Sequence, residues 1–417
     1  MGSIEECGDL VSTKTSRIVG DAPEGIDFIN SGRYSTEVTE VEEGKFYGSP
    51  EENNLRVIYQ PFSIHGAIPI VPSAVKDIIE FFTYCFDVNT PISNNSLVYP
   101  IKLLCNSISL LALLACLVPL MDLVLAAPAF SGLRAEKEPP KVPAFKTKSE
   151  SRTFWIGVIG GSVVSFITAV ITMPLYLKIF PSASWGTPTA LFNIAPMNLT
   201  ITWTFLNTLW VAFWFWHNYR KDKKVGIRTE EMIGFRISKH NLLLTFGAGL
   251  SAFVAAYLIV LFCKWAFNTD FRIWMTAIKP FGPQKLLAML NYWPFFFLFY
   301  VMYSLLLNGA FRVDGMSEKK NLVICGLSNC LGCVILLLVQ YITLLLTHQT
   351  PRVVFSFWNW SDALVLAINF WLMFIAPFIL RKAFKKTGNI WLGAIVVSLM
   401  FAAMGIMKAS MTTTLFM

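Results

Sequence analysis

Eight long apolar runs decide what this chain can fold into. They lie at roughly 101–127, 153–177, 196–218, 241–263, 284–307, 322–346, 361–380 and 389–411. Each is close to the length of about 20 residues that a helix needs to cross the hydrocarbon core of a bilayer. Lipid offers the backbone no hydrogen-bond partner, so a crossing segment must satisfy its own N–H and C=O groups as a helix. The composition agrees with that solvent. Of the 417 residues 55% are hydrophobic and 14% charged, and mean hydropathy is +0.56. A soluble domain is about 45–50% apolar and about 25% charged. The expected fold is an all-α polytopic membrane bundle of about eight transmembrane helices over residues 101–417.

Charge is divided unevenly along the chain. Residues 1–100 hold 15 acidic and 6 basic side chains, whereas residues 101–417 hold 11 and 28. The basic excess does not form a stripe that would suit nucleic acid. It sits in short loops between apolar runs, which is a topology signal. Loops 128–152, 219–240, 308–321 and 381–388 contain 6, 7, 3 and 4 Lys and Arg residues. The alternate loops 178–195, 264–283 and 347–360 and the tail 412–417 contain 1, 3, 1 and 0. Positively charged loops stay in the cytoplasm. The acidic segment and the carboxy terminus are then expected outside a bacterial plasma membrane, with the lipid bilayer as the partner and no nucleic acid. Trp155, Trp185, Trp265, Trp293, Trp358 and Trp360 fall at span ends, as an interfacial aromatic belt requires.

Within the runs, Gly157, Gly161, Ser165 and Ala169 recur every four residues, and Ala248, Ala252 and Ala256 repeat the pattern. Rows of small side chains let a neighbouring helix come close, in a compact bundle or around a gap that holds a ligand. Asp122, Asp362 and Lys408 lie near span ends, where headgroups, a helix N-terminus or snorkelling suit them. Asn207, Gln340 and Asn369 lie deeper and are expected to bond across helices. Cys325, Cys330 and Cys333 fall in an apolar run with no fourth ligand nearby, which suits small core side chains better than a metal site. The stretch "KWAFNTDFRIWMTAIKPFGP", 264–283, alternates aromatic and polar residues and is expected to be interfacial or re-entrant. "EEMIGFR", 230–236, has the residue types of an intramembrane protease motif but the wrong spacing and no later histidine within a span.

The acidic segment has its own pattern. "NLRVIYQPF" combines β-branched and aromatic residues and predicts a strand. "PSAVKDIIEFFTYCF" predicts a helix capped by Ser73, with Val75, Ile78, Ile79, Phe82 and Phe86 on one stripe. "SIHG", with His65, lies between them. Strand, histidine loop, helix is the order that closes an α/β-hydrolase domain, where the triad runs Ser, then Asp or Glu, then His.

The chain resembles the carboxy-terminal portion of a bacterial family in which an α/β-hydrolase domain precedes a multi-span membrane domain. The residues that carry the resemblance are "KFYGSPEENNLRVIYQPFSIHGAIPIVPSAVKDIIEFF", "DFRIWMTAIKPFGPQKLLAML" and "FKKTGNIWLGAIV". "GSIEECGDLVS" resembles the turn that carries the triad acid, which places Glu5 at the acid position with Asp9 as the alternative. The resemblance implies that residues 1–95 are a partial hydrolase segment, a small extracytoplasmic α/β remnant with His65 as base and Glu5 or Asp9 as acid. The family's activity would be serine ester or amide hydrolysis. No Gly-x-Ser-x-Gly nucleophile elbow is present in the sequence, so the chain is expected to be inactive alone, as in a truncated or split gene product. The first 30 residues hold no apolar run of signal-peptide length, so the first span would have to act as a reverse anchor. No phosphate-binding glycine loop or paired metal-ligand motif occurs, and no cofactor is expected. The alternative to the hydrolase-linked reading is a transporter or channel-like bundle of unknown substrate.

Overall fold

The computed structural model describes residues 22–63, 65–88, 91–93, 95–180, 189, 191–224, 226 and 229–407. Its elements are α1 (Pro23–Asn30), α2 (Pro72–Cys85), α3 (Tyr99–Ala126), α4 (Lys148–Ile179), α5 (Ala195–Lys224), α6 (Lys239–Phe267), β1 (Phe271–Ile273), β2 (Thr276–Ile278), α7 (Pro283–Asn308), α8 (Glu318–Thr347), α9 (Trp360–Ala367), α10 (Phe370–Thr387) and α11 (Trp391–Gly405). The chain divides into two compact units, one of 1–105 with 338–360 and one of 106–337 with 361–417.

Among the described residues six helices are long and apolar enough to cross a membrane: α3, α4, α6, α7, α8, and the stretch Asp362–Thr387. Their outer faces are as greasy as their inner ones. Along α3, Leu110, Leu113, Leu114, Leu117, Met121 and Leu125 are buried, while Leu104, Ile108, Leu111 and Leu123 are exposed. Exposed apolar surface of this extent is compatible with a helix solvated by lipid.

Two of the eight expected spans fall outside these six. α5 is 30 residues long but carries Asn198, Thr200, Thr202, Thr204, Asn207 and Thr208, all buried, and so loses hydropathy. α11 is apolar but only 15 residues long, and its side chains are nearly all enclosed. The run expected at 361–380 is broken into α9 and α10 at Ile368 and Asn369.

The second unit is built by close helix approach. The row of small residues on α4 lies against two helices. A Cβ on Gly157 would strike the indole of Trp214 on α5, and one on Gly332 of α8 would come within 2.6 Å of Ser165. Ser162 Oγ donates to the Ser328 carbonyl at 2.9 Å, and Ser328 Oγ returns to the Val158 carbonyl at 2.6 Å. Ala248, Ala252 and Ala256 of α6 are fully buried, and Gly249 leaves room for Ile395 of α11. α4 begins at a capping box, Thr147 with Glu150, which satisfies two orphan amides.

Segment 264–283 is a helix end followed by a short hairpin. α6 continues to Phe267, then β1 and β2 form an antiparallel hairpin that pairs Phe271 with Ile278 and Ile273 with Thr276. The alternation that suggested an interfacial or re-entrant stretch matches the period-two pattern of a strand over 271–278. Asp270 takes Lys264 at 3.2 Å and Lys279 at 3.4 Å. Burial pushes the Asp270 carboxyl up, but the two ammonium groups outweigh it and hold the group below its ordinary value.

In the first unit the expected strand at 54–62 is not formed as a strand. Arg56 and Tyr47 exchange both backbone hydrogen bonds at 2.9 Å, and Gly44 N–H donates to the Ile58 carbonyl, but the pairing extends no further. A lone two-segment pairing is marginal without a sheet to join. A small core of Ile29, Val41 and Ile58 closes over it. α2 forms where the stripe predicted it, but it begins at Pro72, and Ser73 does not cap it because Val71 occupies that position. Its apolar side is uncovered, with Ile78, Phe82 and Phe86 all exposed.

Candidate functional site

The four Lys- and Arg-rich loops come together at one end of the second unit. Arg312, from 308–321, donates to the carbonyls of Pro139 and Pro140 and to Glu138 at 2.6 Å, all in loop 128–152. Lys385, from 381–388, reaches the same carboxylate at 3.1 Å. Val142 and Val313 form a parallel bridge, and Ala135 N–H donates to the Lys386 carbonyl. The fourth loop joins through Phe235, whose carbonyl accepts from Trp391 Nε1 at 3.1 Å. Lys386 pairs with Asp122 at the end of α3.

Two arginines at this end are buried. Arg381 is 0% exposed and Arg312 is 1% exposed. Arg381 donates to Asn308 Oδ1, to the Leu307 carbonyl and to Asn321 Oδ1, and pairs with Glu318 at 3.4 Å. The guanidinium of Arg312 also lies 5.5 Å from the ring centroid of Phe384. A buried cation is tolerable only with such a set of acceptors. Counting charge by loop places both residues on the basic side but cannot show that they are enclosed.

At the opposite loops the contacts run to neighbouring helices, loop 178–195 to α7 and loop 264–283 to α6. Asn291 donates to the Leu191 carbonyl, Tyr292 accepts from Ile194 N–H, and Tyr257 accepts from Phe281 N–H.

Between the two ends lies a cavity lined by α5, α7, α10 and α11 with Asn369. Its walls are largely apolar, with Met197, Trp203, Phe296, Phe299, Phe401 and Met404. A second cavity shares Asn207, Phe299 and Met373 with the first. Asn207 Nδ2 donates to Thr168 Oγ1 at 3.0 Å and to the Trp203 carbonyl at 2.9 Å. Thr168 in turn donates to the Ser165 carbonyl, which also accepts from Trp203 Nε1. Thr200 and Thr204 line the first cavity and give their hydroxyl protons to carbonyls four residues back. Ser165 Oγ lines the second cavity, buried and without a hydrogen-bond partner among the described residues.

No family model, curated protein or solved structure matches this chain.

The residues singled out from the sequence are distributed as follows. Glu5 and Asp9 lie outside the described residues. His65 opens a 3-10 turn, His65–Ile70, but its side chain also lies outside them. Asn207 does bond across helices, to α4. Gln340 Oε1 accepts from Trp358 Nε1 at 2.9 Å. Asn369 donates to the carbonyls of Val365 and Leu366 at the end of α9. Asp362 is buried in the first turn of α9, and Tyr176 donates to it at 3.5 Å. Lys408 lies outside the described residues. Cys325, Cys330 and Cys333 are buried, and Cys333 Sγ points to the Leu366 carbonyl. The small-residue row of α4 raised a ligand-holding gap, and its Gly157, Gly161 and Ser165 line the second cavity, but the first cavity was not legible in advance. Its one signal is the polar ridge along α5, unusual in so apolar a chain.

Proposed function

We propose that this chain is a polytopic integral membrane protein that crosses a bacterial plasma membrane eight times. Its basic loops lie in the cytoplasm, and its acidic amino-terminal segment and carboxy terminus lie outside. The supporting observation is the meeting of loops 128–152, 219–240, 308–321 and 381–388 at one end of the second unit. That clustering is what alternate crossing by α5 and α11, besides the six long apolar helices, would produce. In a cysteine-free background, Glu40→Cys is expected to react with an impermeant maleimide on intact cells. Asp222→Cys is expected to react only after permeabilisation. The reverse pattern would overturn the orientation.

Within that frame the chain is read as the membrane part of a protein related to serine ester or amide hydrolases. His65 is the remnant base and Glu5, or Asp9, the remnant acid, with no nucleophile in the chain. The supporting observation is α2, which follows the His65 turn and leaves Ile78, Phe82 and Phe86 uncovered, as a helix does when the sheet it packs on is missing. Purified protein is expected to stay unlabelled by a fluorophosphonate probe. Strong labelling would refute the missing nucleophile. The paired cavities favour the second reading, a transporter or channel-like bundle, for which substrate-dependent flux in proteoliposomes is the required sign.

A further inference from the structure

The cavity has a definite chemical character. Among the described residues no Asp, Glu, Lys, Arg or His lines either chamber. A charged ligand would enter with no counter-charge and would bear its full desolvation cost. The lining therefore suits a neutral ligand.

The polar groups narrow it further. Both amide protons of Asn207 are engaged, while its Oδ1 meets no donor among the described residues. Thr200 and Thr204 have given their protons to the backbone and keep only acceptor lone pairs. Tyr300 also lines the first chamber, and its hydroxyl makes no hydrogen bond among the described residues. In the second chamber Ser165 Oγ is buried without a partner, in a residue only 5% exposed. Acceptors thus predominate, with hydroxyls able to donate beside them. A ligand hydroxyl both donates and accepts, so it satisfies the two kinds at once. An ether or ester oxygen would leave Asn207 Oδ1 without a donor, and a ligand without polar atoms would leave all of these groups in hydrocarbon. The remaining wall, from Phe296, Phe299, Phe401, Met197 and Met404, suits an aliphatic chain, and the methionines can adapt to it.

We propose that the paired chambers bind a neutral amphiphile, an aliphatic chain ending in a hydroxyl, with the hydroxyl held at Asn207 and the chain against Phe299 and Met404. The inference rests on the reading of the bundle as embedded in a membrane. A failure of that reading shows in the maleimide pattern, whereas a failure of this one shows only in ligand labelling.

The test uses the full chain in phosphatidylcholine nanodiscs. The probe is dodecan-1-ol carrying an aliphatic diazirine, photolysed and mapped by peptide mass spectrometry. Adducts are expected on the α7 and α11 peptides that hold Phe299 and Met404. Excess dodecan-1-ol should suppress them, and dodecanoate should not. Asn207→Leu should weaken the competition about tenfold, the scale of one well-placed hydrogen bond in a dry site. Met404→Trp fills the chamber without touching an amide and should abolish the adducts even if Asn207→Leu proves unstable. The same diazirine on the acyl chain of a monoacylglycerol, placed in the nanodisc, separates the sources. Labelling by both probes assigns a membrane lipid, and labelling by the alcohol alone assigns a free ligand. Adducts confined to the outer faces of α3 and α6, equal competition by dodecanoate, or full labelling of Met404→Trp would each overturn the proposal.

Discussion

Arg381 of α10 holds Asn308 at the end of α7, Nε to Oδ1, at 2.8 Å. The same guanidinium reaches the Leu307 carbonyl and Asn321 Oδ1, so one side chain ties three helices. Arg381→Ala is expected to destabilise the protein by about 3–5 kcal/mol, because the acceptors are left buried and unpaired. Arg381→Lys should recover only part of this, since an ammonium lacks the planar fork. Thermal unfolding in mild detergent reads both. An unchanged midpoint for Arg381→Ala would mean that the acceptors find water instead.

Glu138 gives the basic end a pH dependence. The hydrogen bond from Lys385 holds its carboxyl below the ordinary value of 4.5, burial opposes this, and Arg312 adds to the lowering. The folded value therefore lies below the unfolded one. Its contribution is fully present above about pH 4.5 and is lost as pH falls through the folded value. Glu138→Gln is expected to flatten that part of the stability profile while leaving the profile at pH 6–8 parallel to the parent. Denaturation midpoints between pH 3 and pH 8 would show it.

Gly249 and Gly247 lie two residues apart on α6 and should respond differently to alanine. A Cβ at Gly249 would meet Ile395 Cγ2 at 2.6 Å, inside contact distance, whereas one at Gly247 would meet the Phe130 ring at an ordinary 3.5 Å. Gly249→Ala is expected to cost about 1–3 kcal/mol through overpacking. Gly247→Ala should be neutral or mildly stabilising, as helix propensity favours alanine. Comparing the two unfolding midpoints checks the packing of α6 on α11.

Asp122 and Lys386 form a partly exposed pair between α3 and the end of α10. Its loss should cost no more than about 1 kcal/mol. Lys386→Asp alone, which puts two acids together, should be worse than Lys386→Ala. The double exchange Asp122→Lys with Lys386→Asp should return most of the difference. A double-mutant cycle that finds no coupling would show that solvent screens the pair completely.

Loop parity proved the most readable property of this sequence. Counting Lys and Arg grouped four loops, and the side chains of Arg312, Lys385 and Trp391 join those same loops. The row Gly157, Gly161, Ser165 announced close packing because small residues have little other use at that spacing. Three features were hidden for physical reasons. The strand at 54–62 carries β propensity, but pairing requires a partner strand that this stretch does not find. The 271–278 hairpin is short, and its alternation also suits an amphipathic surface. The cavity depends on which of the threonines and asparagines of α5 face inward together with residues of α7, α10 and α11, and a one-dimensional pattern does not contain that.

α11 packs among α6, α7 and α10, with nearly every side chain enclosed. It leaves the ribosome after all three. Until it is made, the groove that α6, α7 and α10 leave for it stays unfilled. A nascent chain halted before Trp391 should then be cut by protease far faster than the released one.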